Sequence, residues 1–122
     1  RIFDTAPAYA ASERRLGAFL RTLRAPVRDR LVIMTKIGEH WDDAAGSPYV
    51  DHGRDALVRS IDRSLALLGR IDVLQLHKAT EAVVDHPDVA AALAYARSCG
   101  ITCFGASVSS VEAGRQALMT QR

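Results

Sequence analysis

Leu31-Val32-Ile33-Met34-Thr35-Lys36 is an unbroken apolar run that ends on a charge. Such a run, without polar alternation, is expected of a strand covered on both faces, as in a parallel sheet. Working outward from it, three other runs have the same form. Ile2-Phe3 leads into Asp4, Val73-Leu74-Gln75-Leu76 into His77, and Thr102-Cys103-Phe104-Gly105-Ala106 into Ser107. Each is followed by a loop and then a helix-like pattern. In a parallel α/β sheet the carboxyl ends of the strands lie along one edge, so Asp4, Lys36, His77 and Ser107 should converge, with Tyr9 just beyond the first. Acid, base and donor groups gathered at one edge read as an active site.

The segments between the runs support this alternation. Ser12 is a plausible N-cap with Glu13 in the first turn, and Leu16, Phe19, Leu20 and Leu23 mark one helical face, closed by Pro26. Residues 38 to 53 read as a long polar loop containing Trp41, Asp42, Asp43, Pro48 and Tyr49; loops of that length are often functional. Leu57, Val58, Ile61, Leu65 and Leu68 follow at helical spacing and stop at Gly69. Val89, Leu93 and Ala96 mark another helix, closed by Gly100, and Val111 to Met119 the last. No linker divides the chain, so residues 1–122 are expected to form one domain with a parallel sheet, doubly wound or part of a barrel.

Composition narrows the classes. Hydrophobic residues make up 48% of the 122 and charged residues 25%, which describes a folded globular domain. Sixteen basic and fourteen acidic side chains are interspersed and leave a net charge of +2, so neither a nucleic-acid stripe nor a membrane-surface patch is expected. No apolar stretch reaches the roughly 20 residues needed to span a bilayer, and no leader pattern opens the chain. Cys99 and Cys103 read as free thiols in a reducing cytoplasm. His40, His52 and His86 lack partners at ligand spacing, so no metal site is expected.

Phe3-Asp-Thr-Ala-Pro-Ala-Tyr9, Ser12-Glu-Arg-Arg-Leu-Gly17, Thr35-Lys36 and Leu76-His77, in this order and spacing, resemble the signature of the aldo-keto reductases. The stretch from Ser60 to Asp72 is similar to the family's segment before its histidine strand, and the likeness spans nearly the whole chain. The resemblance implies a (β/α)8 barrel of the TIM type and NADPH-dependent reduction of an aldehyde, ketone or sugar carbonyl, or the reverse oxidation; NADH is possible. The Asp-Thr-Ala-Pro-x-Tyr form is similar to bacterial members, some of which oxidise aldoses.

Carried over position by position, the resemblance places a catalytic tetrad at Asp4, Tyr9, Lys36 and His77. Tyr9 would give its proton to the carbonyl oxygen. A free tyrosine is a poor acid or base near neutrality, and an ammonium beside it would favour the phenolate. Asp4 would hold Lys36, and His77 would polarise the carbonyl oxygen as a donor. Lys36 is also one of only two lysines among sixteen basic side chains, and a compact point charge differs in use from a guanidinium. Ser107 would hold the nicotinamide carboxamide, although Val108 stands where members often have asparagine; it could equally cap the last helix. Trp41 could line a substrate pocket or pack locally.

A complete barrel has eight strand-helix units in about 250 residues, and four are legible here, resembling the second to the fifth. The chain opens at Arg1 in residues that already read as a strand and stops at Arg122 just after a helix pattern. The expectation is therefore about half a barrel, an incomplete piece whose unpaired strand edges could drive self-association. The alternative is a non-catalytic binding or regulatory subunit, as in the potassium-channel β subunits.

Overall fold

Strand propensity and burial meet in the middle of the chain. In the computed structural model, which describes residues 1–120, the four apolar runs become β1 (Ile2–Asp4), β2 (Val32–Ile37), β5 (Val73–Ala79) and β6 (Cys103–Val108). They form one parallel sheet in the order β1-β2-β5-β6. Phe3 pairs with Ile33, Thr35 with Leu74, and Leu74 with Phe104. The outer strands, β1 and β6, each have one unpaired edge among the described residues.

Helices α1 (Ser12–Thr22), α3 (Arg54–Leu68) and α5 (Pro87–Ser98) cover the face that carries Ile33, Thr35, Ile37, Leu74 and Leu76. With Leu20, Leu57, Ile61, Val89, Ala96 and Ile101 these side chains make a single core. The opposite face is open. Val32, Met34, Val73 and Gln75 are half-buried, and Cys103 and Gly105 are exposed. Of the two faces expected to be covered over residues 31–35, the described residues cover one. Alternate side chains of β2 meet the helical layer and the others meet none among the described residues. One helical layer over parallel strands is how part of a TIM-type barrel is built, with the open face turned toward the barrel axis.

Three local expectations change. Ser12 lies inside α1, and its hydroxyl is 2.8 Å from the Thr5 hydroxyl rather than capping the helix. Pro26 starts a short second helix, α2 (Ala25–Arg28), as its fixed φ allows in a first turn. The long loop is largely a β-hairpin, β3 (Glu39–Asp42) and β4 (Ser47–Val50), with His40 opposite Tyr49 and Trp41 opposite Pro48. Asp42 closes its tip by accepting from the N–H groups of Ala44 (2.8 Å) and Ala45 (3.1 Å). Two short elements complete the chain, α4 (Glu81–Val84) after β5 and α6 (Val111–Thr120) after β6.

A buried acid ties the layers together. Glu13 of α1 is 3% exposed, and its Oε1 accepts from Thr35 Oγ1 of β2 (2.6 Å) and Ser64 Oγ of α3 (2.8 Å). Burial pushes its carboxyl pKa up, and the two hydroxyl donors oppose that push. Helices α1 and α3 also approach so closely at Gly17 that a Cβ there would lie 1.9 Å from the Leu67 carbonyl oxygen.

Candidate active site

The carboxyl ends of β1, β2, β5 and β6 carry the polar groups that the alternation of strands and helices brings to one edge. Asp4 is the last residue of β1, Lys36 the penultimate residue of β2, His77 lies two residues from the end of β5, and Ser107 is penultimate in β6. Lys36 is 4% exposed, and a buried ammonium needs partners. Its Nζ donates to Asp4 Oδ1 (2.7 Å) and to the Thr5 carbonyl (3.0 Å), and sits 5.2 Å from the centroid of the Tyr9 ring. Tyr9 in turn meets His77 edge-on, with ring centroids 6.0 Å apart. Asp4, Tyr9, Lys36 and His77 thus form one cluster. The Gln75 amide, 3.5 Å from Asp4 Oδ1, stands at its margin on the open face.

His77 is nearly buried, and the loss of hydration lowers its pKa from the ordinary histidine value. The nearby charges of Lys36 and Lys78 act in the same direction, whereas Glu39 and Asp4 oppose them. The ring is therefore neutral at pH 7. Because the unfolded chain binds this proton more readily than the folded one, stability should be complete above about pH 6.5 and fall as pH drops from there through the lowered folded pKa. Urea unfolding between pH 7.5 and 5 is expected to show that fall, and His77→Asn should flatten it. An equal slope in both proteins would assign the effect to another group.

Backbone strain borders the same cluster. Ala10 and Lys78 are the non-glycine residues with positive φ among those described, at +49° and +53°, and they directly follow Tyr9 and His77. Such conformations concentrate where side chains are held for a purpose. Gly38, with φ +107°, lets the chain leave β2 for the hairpin, and a Cβ there would lie 2.5 Å from the His52 ring. That ring fastens the hairpin base to β5 through His52 Nε2 and the His77 carbonyl, 2.8 Å apart.

Glu39 was not singled out by the sequence. Its Oε2 lies 3.2 Å from His77 Nδ1. No spacing rule marks it, because only the hairpin's docking brings it there. Ser107 stands in β6 on the open face and has no hydrogen-bond partner among the described residues. The role of capping α6 falls instead to Ser110, whose hydroxyl accepts from the Ala113 N–H at 3.1 Å. Trp41 lines a groove of about 250 Å³ with Pro7, His40 and Tyr49, none of the clustered residues among them. A larger groove of about 630 Å³, lined by Val84, Leu93, Phe104 and Leu118, lies between α4, α5 and α6 and also excludes them. His40 contacts the Asp51 carbonyl (3.0 Å), and His86 accepts from the Asp88 N–H (3.3 Å) at the start of α5. Among the described residues no His, Cys, Asp or Glu group could hold a metal, both cysteines are free, and no helix is long and apolar enough to cross a membrane.

Comparison with known proteins shows the family. The model of the aldo/keto reductase family matches residues 1–120. A structure from Pseudomonas aeruginosa described as an aldo-keto reductase is 34% identical, with a TM-score of 0.81 over 96% of this chain and 46% of its own. The glycerol dehydrogenase of Gluconobacter oxydans is 25% identical, with a TM-score of 0.74 over 97% of this chain and 37% of its own. An aldo-keto reductase from Bacillus halodurans in its holo form, 24% identical, shares the fold with a TM-score of 0.72 over 88% of this chain and 36% of its own. The chain thus spans less than half the length of each of these structures. No curated protein matches it significantly.

Proposed function

The chain belongs to the aldo/keto reductase family, and from that premise we propose that it carries the catalytic corner of an NADPH-dependent oxidoreductase that interconverts a carbonyl and an alcohol. NADH is the second candidate cofactor, and the substrate is a small aldehyde, ketone or sugar. The observation that carries this reading is the contact chain Asp4–Lys36–Tyr9–His77 at one sheet edge.

The residues present fit a nicotinamide. Ser107 offers an unpartnered hydroxyl for the carboxamide, and exposed Gly105 leaves bare backbone beside it on the open face. When bound, such a cofactor supplies hydride to the carbonyl carbon. Tyr9, 48% exposed, gives its hydroxyl proton to the carbonyl oxygen, which becomes the alcohol. Lys36 stabilises the negative charge this leaves on the phenolic oxygen, and Asp4 fixes the ammonium and balances its charge. His77, whose ring meets Tyr9 edge-on, faces the same substrate oxygen and donates to it when the ring is charged, which fixes the oxygen for proton transfer. The half-buried apolar side chains Met34 and Val73 line the sheet face below.

The reading is tested on this chain and on the same chain extended to a complete barrel, each mixed with NADPH and a short-chain aldehyde while NADPH absorbance and fluorescence are followed. Saturable NADPH consumption, slower with NADH, is expected of the complete barrel, and little or none of this chain alone, which spans less than half the length of its relatives. Failure of the complete barrel to bind either nucleotide would end the proposal.

A further inference from the structure

Glu39 opens β3, and its side chain is 13% exposed. Its Oε2 faces His77 Nδ1 at 3.2 Å, at an angle short of a hydrogen bond, and its Oε1 lies 3.8 Å from Lys78 Nζ. Nδ1 is otherwise buried without a partner. A carboxylate only accepts, whereas a neutral imidazole has one N–H and one lone pair. A lone pair turned toward Glu39 would meet charge with charge, while an N–H there gains a charge-assisted contact after a small ring rotation. The hydrogen bond between His52 and the His77 carbonyl clamps the hairpin that carries Glu39, so the carboxylate cannot withdraw cheaply.

We propose that Glu39 is a positioning residue that holds the neutral His77 proton on Nδ1, so that Nε2 meets the substrate oxygen as an acceptor when the ring is neutral and as a donor only when it is charged. This rests on the proposed carbonyl–alcohol reaction and gives it a pH-dependent bias. The neutral ring accepts a hydrogen bond from an alcohol hydroxyl, which suits oxidation. The imidazolium donates to a carbonyl oxygen, which suits reduction. His77 transfers no proton in either direction; that exchange stays with Tyr9. The groups facing the ring are Glu39 from β3, Asp4 from β1, Lys36 from β2, Lys78 beside it in β5, Tyr9 at its edge and His52 at its own carbonyl. The donor role expected for His77 from the sequence thus belongs to its charged form.

The decisive experiment is nitrogen NMR of protein labelled at histidine, with His77→Asn to assign the signal, comparing wild type, Glu39→Gln and Glu39→Ala above the ring's titration. Wild-type His77 should carry its proton on Nδ1. In both variants the ratio should move toward the Nε2-protonated form by about tenfold, equivalent to ~1.4 kcal/mol. In parallel, the ratio of alcohol oxidation to carbonyl reduction should rise through the His77 titration in wild type, and this dependence should weaken in Glu39→Ala. A wild-type ring protonated on Nε2, or a tautomer ratio unchanged in both variants, would overturn the assignment. The NMR signal needs no turnover. An inactive protein with Nδ1-protonated His77 would therefore remove the proposed reaction and still support the positioning by Glu39.

Discussion

Tyr9→Phe, made in the chain extended to a complete barrel, should lower kcat by about 10²- to 10⁴-fold, the usual contribution of a positioned proton donor, while leaving NADPH affinity nearly unchanged. The substitution removes one hydroxyl and little else. A phenylalanine ring keeps the edge contact with His77 and the face near Lys36 Nζ. Tyr9 is 48% exposed, so thermal stability should barely move. Steady-state kinetics with saturating aldehyde, alongside NADPH fluorescence titration, separates the two effects. A variant that keeps more than about a tenth of wild-type kcat would assign the proton to another donor, since loss of a donor costs at least 10²-fold in the ordinary case. The same variant also distinguishes an enzyme from a binding subunit, whose partner would be indifferent to the missing hydroxyl.

The second large effect concerns stability. Gly17→Ala should destabilise the protein by about 3 kcal/mol, the upper part of the range for overpacking, against a total that is only about 5–15 kcal/mol for most domains. The added carbon would sit 1.9 Å from the Leu67 carbonyl oxygen, and that atom belongs to the backbone of α3, so no side-chain rotation relieves the clash. Helices α1 and α3 must separate, which pulls Glu13 Oε1 away from the Ser64 hydroxyl that donates to it alongside that of Thr35. Alanine's better helix propensity returns about 1 kcal/mol at most. Urea unfolding should show a lower midpoint with an unchanged slope. Gly114→Ala is the control, because its Cβ would meet nothing nearer than 3.6 Å and should leave stability equal or slightly higher. Equal midpoints for Gly17→Ala and wild type would mean that the helices are less tightly fixed than the contact requires.

Much of this architecture was legible because burial writes itself into periodicity. The runs ending at Asp4, Lys36 and His77 mark three strands almost to the residue, since a helical layer demands apolar side chains there. The family motif brought the four clustered residues together before any coordinate did. What stayed hidden depends on contacts between distant parts. Ser12 looks like a cap because serine often is one; only the fold brings Thr5 beside it. Residues 39–50 look like loop because His40, Trp41, Pro48 and Tyr49 follow neither period cleanly, and their strands pair with each other rather than with the main sheet. Glu39 was illegible for the same reason: its meaning lies in a histidine 38 positions away in the chain.

The hairpin has a consequence for how such a protein can change. Its two strands form a sheet of their own, joined to the rest at the base through Gly38, Glu39 and His52. The tip, from Asp43 to Gly46, is wholly exposed, and lengthening a flexible loop costs only about 0.6 kcal/mol per doubling. Insertions there leave the core untouched. The chain therefore carries two kinds of text: the clustered residues are written into the sheet, where neighbours fix every letter, while the hairpin tip is a ribbon that can be respelled.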